Sequence, residues 1–108
     1  MARLLWDHRA LEDLERLADF LAKDDPAAAE ATFDLIEEAV DVLASHPLIG
    51  RRVSGELREL VISRGRTGYI ALYQHYPAFD RVIVRAIRHQ REAGFEDRVV
   101  SDALLVKL

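Results

Sequence analysis

The chain has 108 residues, half of them apolar and 31% charged, with no cysteine and a formal net charge of −4. This size and mixture fit one domain spanning 1–108 and exclude a disordered, collagen-like, disulfide-stapled or thiolate-metal protein. No apolar run approaches the roughly 20 residues that cross a bilayer, and the start lacks a signal-peptide h-region, so a cytoplasmic protein with no membrane partner is expected. The charge is divided unevenly. Residues 1–47 carry −8 and residues 48–108 carry +4, so any anion-binding surface is expected in the second half.

Ala2 to Trp6 is too short and too continuously apolar for a helix and reads as a strand. Asp7 can cap a helix, and Leu11, Leu14, Leu17, Ala18 and Leu21 recur at three- and four-residue spacing, which predicts an amphipathic helix over 8–23. Asp25 followed by Pro26 starts a second helix, whose apolar stripe is Ala29, Phe33, Ile36, Val40 and Leu43. His46-Pro47 ends it, so the two form a hairpin. Leu48 to Glu56, with Gly50, Gly55 and two arginines, reads as a loop.

Beyond that loop the period changes. Residues 57–63, 69–76 and 81–88 are rich in β-branched and aromatic residues, with turn sequences at 65–68 and 77–80 between them. The fold class is therefore α+β: a strand, a helical hairpin, then a three-stranded antiparallel meander with both helices on one face. The tail beyond Gly94 is unassigned, with a short helix around 99–105 and residues 96–108 as a C-terminal extension.

With those turns, strict alternation puts Leu60, Ile62, Tyr69, Ala71, Tyr73, Val82, Val84 and Ala86 under the helices. The opposite face then holds Val61, Ile70, Leu72, Ile83 and Ile87, mixed with Glu59, Gln74, Arg81, Arg85 and His89. Two helices cover one side of a small sheet, so this second face is expected to be open and to bind a partner.

Motifs for chemistry are sparse. The four histidines, at 8, 46, 75 and 89, have no metal-ligand spacing, and there is no P-loop, nucleophile elbow or dinucleotide fingerprint. No cofactor and no metal are expected. Arg51, Arg52, Arg58, Arg64, Arg66, Arg85, Arg88 and Arg91 gather around the strands, and a guanidinium can hold phosphate or carboxylate through two parallel bonds. His89 can exchange a proton near neutral pH. The plainer reading is that these cations solvate strand ends or pair with Glu56, Glu59 and Glu92.

Six short segments occur in a telling order: Trp6; Ala10-Leu11-Glu12-Asp13-Leu14; Pro47-Leu48-Ile49-Gly50-Arg51; Leu57 to Ile62; Gly68-Tyr69-Ile70-Ala71-Leu72-Tyr73; and Arg88-His89-Gln90-Arg91-Glu92. Over about residues 3–95 the chain resembles the ParE/RelE superfamily of type II toxins. The resemblance implies a toxin neutralised by a cognate antitoxin, of the kind that stabilises plasmids. In the RelE-like branch, which cuts messenger RNA on the ribosome, an arginine typically follows the first tyrosine of the G-Y-x-x-x-Y strand, where this chain has Ile70. An isoleucine stabilises no charge on a scissile phosphate. The chain is therefore more similar to the ParE branch, which implies a non-enzymatic inhibitor of DNA gyrase with a ParD-like antitoxin. The expected partner contacts are Val61, Ile70, Leu72, Ile87, Arg58, Arg85, Arg88 and Arg91. The alternative is a ribonuclease with His89 as general acid and Arg58 or Arg88 holding phosphate.

Overall fold

The computed structural model describes residues 1–64, 67–90 and 105–106. Strand β1 (Arg3–Asp7) leads directly into helix α1 (His8–Ala22), and helix α2 (Pro26–Asp41) follows, extended by a 3-10 turn at Val42–Ala44. Both caps form as the sequence predicts. The Asp7 carboxylate accepts from the Arg9 N–H, and the Asp25 carboxylate accepts from the Ala27 and Ala28 N–H groups, with Pro26 at the first helical position. Strands β2 (Arg51–Ser54), β3 (Leu57–Arg64), β4 (Thr67–Tyr76) and β5 (Arg81–His89) complete the main sheet, and β6 (Leu105–Val106) adds a short edge. The order across the sheet is β2-β3-β4-β5-β1-β6.

The α+β class and the helices on one face hold. Ala10, Leu14 and Leu17 of α1 and Ile36 and Val40 of α2 are buried in one cluster with Trp6, Ile62, Tyr69, Ala71, Tyr73, Val82 and Val84. Several details go beyond the sequence reading or depart from it. The stretch taken as a loop contains β2, which lies at the sheet edge with all four residues exposed, so it shows no apolar alternation. β1 runs parallel to β5, whereas β2 to β5 pair antiparallel. The helix expected around 99–105 lies outside the described residues except for Leu105, which belongs to β6.

A further difference changes the faces. The β4–β5 register runs from Tyr76↔Arg81 to Tyr73↔Val84 and then resumes at Leu72↔Ala86, leaving Arg85 as the extra residue of a β-bulge. A single inserted residue inverts the alternation of everything beyond it. Ile87 therefore joins the core beneath the helices, Ala86 and Arg88 turn to the opposite face, and His89 shares the helix side with Tyr69. Past the end of β1, the Ile87 N–H is satisfied by the Asp13 carboxylate of α1, at 3.0 Å.

The turn at 77–80 matches its sequence. Pro77–Phe79 forms one 3-10 turn, and Asp80 closes it in the left-handed region at φ 50°.

Candidate partner-binding site

The sheet face away from the helices is not the open surface that alternation predicts. Ile70 is 9% exposed, Leu72 5%, Ile83 3% and Ile87 0%. Ile87 is buried because the bulge turns it inward. Ile83 lies beside Leu5 of β1. Across β4, Glu59 stands opposite Leu72 and Arg88 opposite Ile70, and the Glu59 and Arg88 side chains approach to 4.0 Å. Their stems must therefore reach over the two aliphatic residues between them, as long charged side chains do on apolar ground. Of the apolar partner contacts expected from sequence, only Val61 stays on the surface, at 57% exposure.

The arginines are also occupied within the chain. Arg85 is wholly buried: its Nε donates to Gln74 Oε1 at 2.7 Å, and its Nη1 donates to the buried Asp7 carboxylate at 3.3 Å. The Tyr76 hydroxyl also donates to Gln74 Oε1, at 2.8 Å, and closes the network. The bulge explains this placement, because Arg85 and Ala86 both turn to the face that carries Asp7 at the end of β1. An arginine predicted for a partner instead ties the bulge of β5 to the cap of α1.

Arg58 leaves β3 on the helix side, where the hairpin no longer covers the sheet. Its Nη1 donates to Gly50 O at 2.8 Å and to Leu48 O at 3.4 Å. Tyr73, opposite Arg58 across the ladder, holds the same loop, since its hydroxyl donates to Pro47 O and accepts from Gly50 N–H, both at 2.8 Å. Burial pushes the Tyr73 hydroxyl above its ordinary value of 10.0, against smaller opposing effects of the Gly50 N–H and the Arg58 charge. Gly50 is required here, because an added Cβ would lie 2.6 Å from the Tyr73 ring and 2.7 Å from Glu59 O. The clamped loop presents Leu48 and Ile49 to solvent, and with His46, Pro47 and His75 they line an apolar groove.

Arg88 donates through Nη1 to the carbonyls of His89 and Gln90, at 3.4 and 3.3 Å, besides its approach to Glu59. Glu59 in turn pairs with Arg51 of β2 at 2.6 Å. His89 is half-buried with its ring edge-on to Tyr69, centroids 5.5 Å apart. Arg91 lies outside the described residues.

The three residues of the ribonuclease alternative therefore do not converge. Along β4, Arg58 stands opposite Tyr73 and His89 opposite Tyr69, four residues or about 13 Å apart. Arg88 stands on the other face. Among the described residues, no group of three or more histidine, aspartate and glutamate side chains is placed to hold a metal. No helix there is long and apolar enough to cross a membrane.

Two structural contributions were not anticipated from sequence. Asp13 resembled any acid on an exposed helical face, and its role depends on where β1 stops relative to β5. Tyr73 was assigned to the core, but its hydroxyl role in the loop required the distance between the loop and the sheet.

A strand, a helical hairpin packed on one face, and an antiparallel meander joined to that strand in parallel define a small toxin-like α+β scaffold. The family model for the ParE toxin of the type II toxin–antitoxin system parDE matches residues 4–94, and the chain belongs to that family, within the ParE/RelE superfamily. The chain is 42% identical to Toxin RelE3 of Caulobacter vibrioides over 84 residues, covering 78% of this chain and 89% of that toxin. It is 36% identical to Toxin RelE2 of the same organism, covering 82% and 96%. Over 63 residues it is 41% identical to a putative toxin, Y4kP, of Sinorhizobium fredii, covering 56% and 65%. As a type II toxin it has an antitoxin as partner.

Proposed function

We propose that this toxin acts without bond chemistry, by binding and blocking DNA gyrase, and that a ParD-like antitoxin neutralises it in a plasmid-stabilising pair. The observation that carries this reading is the dispersal of Arg58, Arg88 and His89. Hydrolysis or transfer at a phosphodiester needs a proton donor and charge-stabilising groups within hydrogen-bond reach of one reacting phosphate. Here the histidine packs on Tyr69, one arginine clamps a loop about 13 Å away, and the other stands behind the sheet. Ile70, where the RNA-cutting branch typically has an arginine, supports the same reading. For the antitoxin, Val61 and the groove beside Leu48 and Ile49 are among the apolar contacts available at the surface.

The second reading is a RelE-like ribosome-dependent endoribonuclease using His89 with Arg58 or Arg88, and the RelE name of the Caulobacter relatives favours it. Both readings put the toxin in the cytoplasm. Purified toxin is expected to inhibit gyrase supercoiling in a dose-dependent way and to leave transcripts intact in a translation mixture mapped by primer extension. Transcript cleavage that His89→Ala abolishes, with supercoiling unaffected, would overturn the proposal.

A further inference from the structure

We infer that Arg3 and Arg81 form a paired-arginine site for the carboxylates of an acidic protein segment contributed by the antitoxin. The partner's identity rests on the family membership, and the site rests on the geometry. The only parallel pairing between described strands aligns Arg3 with Arg81, followed by Leu4 with Val82, Leu5 with Ile83 and Trp6 with Val84. The Arg3 N–H donates to Asp80 O at 2.7 Å and fixes the register at its first residue. Neighbouring strands lie about 4.8 Å apart, so the two guanidinium stems leave the sheet side by side.

Like charges directly opposite one another in a ladder are unfavourable. Arg52 and Arg58 also face each other, across β2 and β3, but there Arg58 is drawn to the Gly50 and Leu48 carbonyls, and other arginines pair with acids: Arg9 with Asp7, Arg51 and Arg88 with Glu59, and Arg85 with Asp7. Among the described residues, the side chains of Arg3 and Arg81 have no ion pair or hydrogen bond. Asp80, adjacent to Arg81 in the chain, makes no ion pair with either arginine. Both arginines are exposed, and Phe79 in the adjoining turn is 71% exposed. Two exposed arginines and an exposed aromatic residue two positions before Arg81 match the residue types that anchor protein interfaces. The chain's net charge of −4 opposes a long polyanion, which favours localised carboxylates over a nucleic-acid backbone.

The test uses the full-length toxin and its purified cognate antitoxin, with the variants R81E and R3E/R81E. R81E places opposite charges across the ladder, so the thermal midpoint of the free variant should not fall, and a binding loss is then not a folding loss. R3E/R81E is expected to weaken the complex by about tenfold or more at low salt, with the gap closing as salt rises. Unchanged affinity and unchanged salt dependence, in a variant that folds, would overturn the site while leaving the toxin reading intact. Affinity that holds while wild-type binding to a single-stranded oligonucleotide is lost would overturn it in favour of a phosphate contact. A wild-type chain that binds no antitoxin would overturn the toxin reading, and the site with it.

Discussion

At the scale of single residues, the buried polar groups of this toxin serve to hold the chain together. Tyr73 shows how. Its hydroxyl satisfies both Gly50 N–H and Pro47 O, and removing it strands a buried donor, at a cost of about 1–3 kcal/mol. Tyr73→Phe should therefore lower the urea midpoint at neutral pH. The direction of the pKa shift adds a pH signature. The folded chain keeps the phenolic proton more tightly than the unfolded chain, whose tyrosine titrates near 10.0. This contribution is present in full below that value and is lost as pH rises through the higher folded value. In alkaline urea titrations above pH 10 the wild type should lose stability faster than Tyr73→Phe. Parallel curves would contradict the burial of this hydroxyl.

The bulge at Arg85 decides which surface each strand presents. An extra residue in β5 sends Ile87 inward and Arg88 outward, and the buried pair with Asp7 holds it in place. A substitution on the apparently open face therefore tests two different things. Leu72→Asp puts a charge where only 5% of the residue meets solvent, and it should destabilise the fold by several kcal/mol. Val61→Asp, at 57% exposure, should change the stability of the free chain by no more than about 0.5 kcal/mol. If Val61 contacts the antitoxin, that variant weakens the complex while the thermal midpoint of the free toxin holds. Similar midpoints for Leu72→Asp and the wild type would show the face to be open after all.

For the molecule as a whole, we propose that the two layers fold as one domain. Trp6, the single tryptophan, sits on β1 at 2% exposure, in the same cluster as Ile36 of α2 and Ile62 of β3. Its fluorescence therefore reports the meeting of both layers, whereas far-ultraviolet circular dichroism reports the backbone. The two urea transitions are expected to coincide, as in two-state unfolding, and separate midpoints would divide the chain into independent units.

Much of this was legible in the sequence because it depends on local rules. Asp7 and Asp25 cap the helices they precede, Pro26 occupies a position where its missing N–H costs nothing, and the leucine spacing of α1 names its buried face. The six ordered segments, from Trp6 to the Arg88-His89 pair, were enough to point to the toxin superfamily. Alternation also found the β3 and β4 faces and the first half of β5. It failed at Arg85, since a bulge is set by what lies across the ladder, and nothing in Arg81 to His89 marks the inserted residue. It failed for β2, whose exposed residues have no apolar partner to alternate against. The arginines were visible as charge, but what each one touches was settled only by tertiary contacts. Placing β1 beside β5 brings Asp7 to Arg85 and leaves Arg3 facing Arg81, two contacts between residues 78 positions apart in the chain.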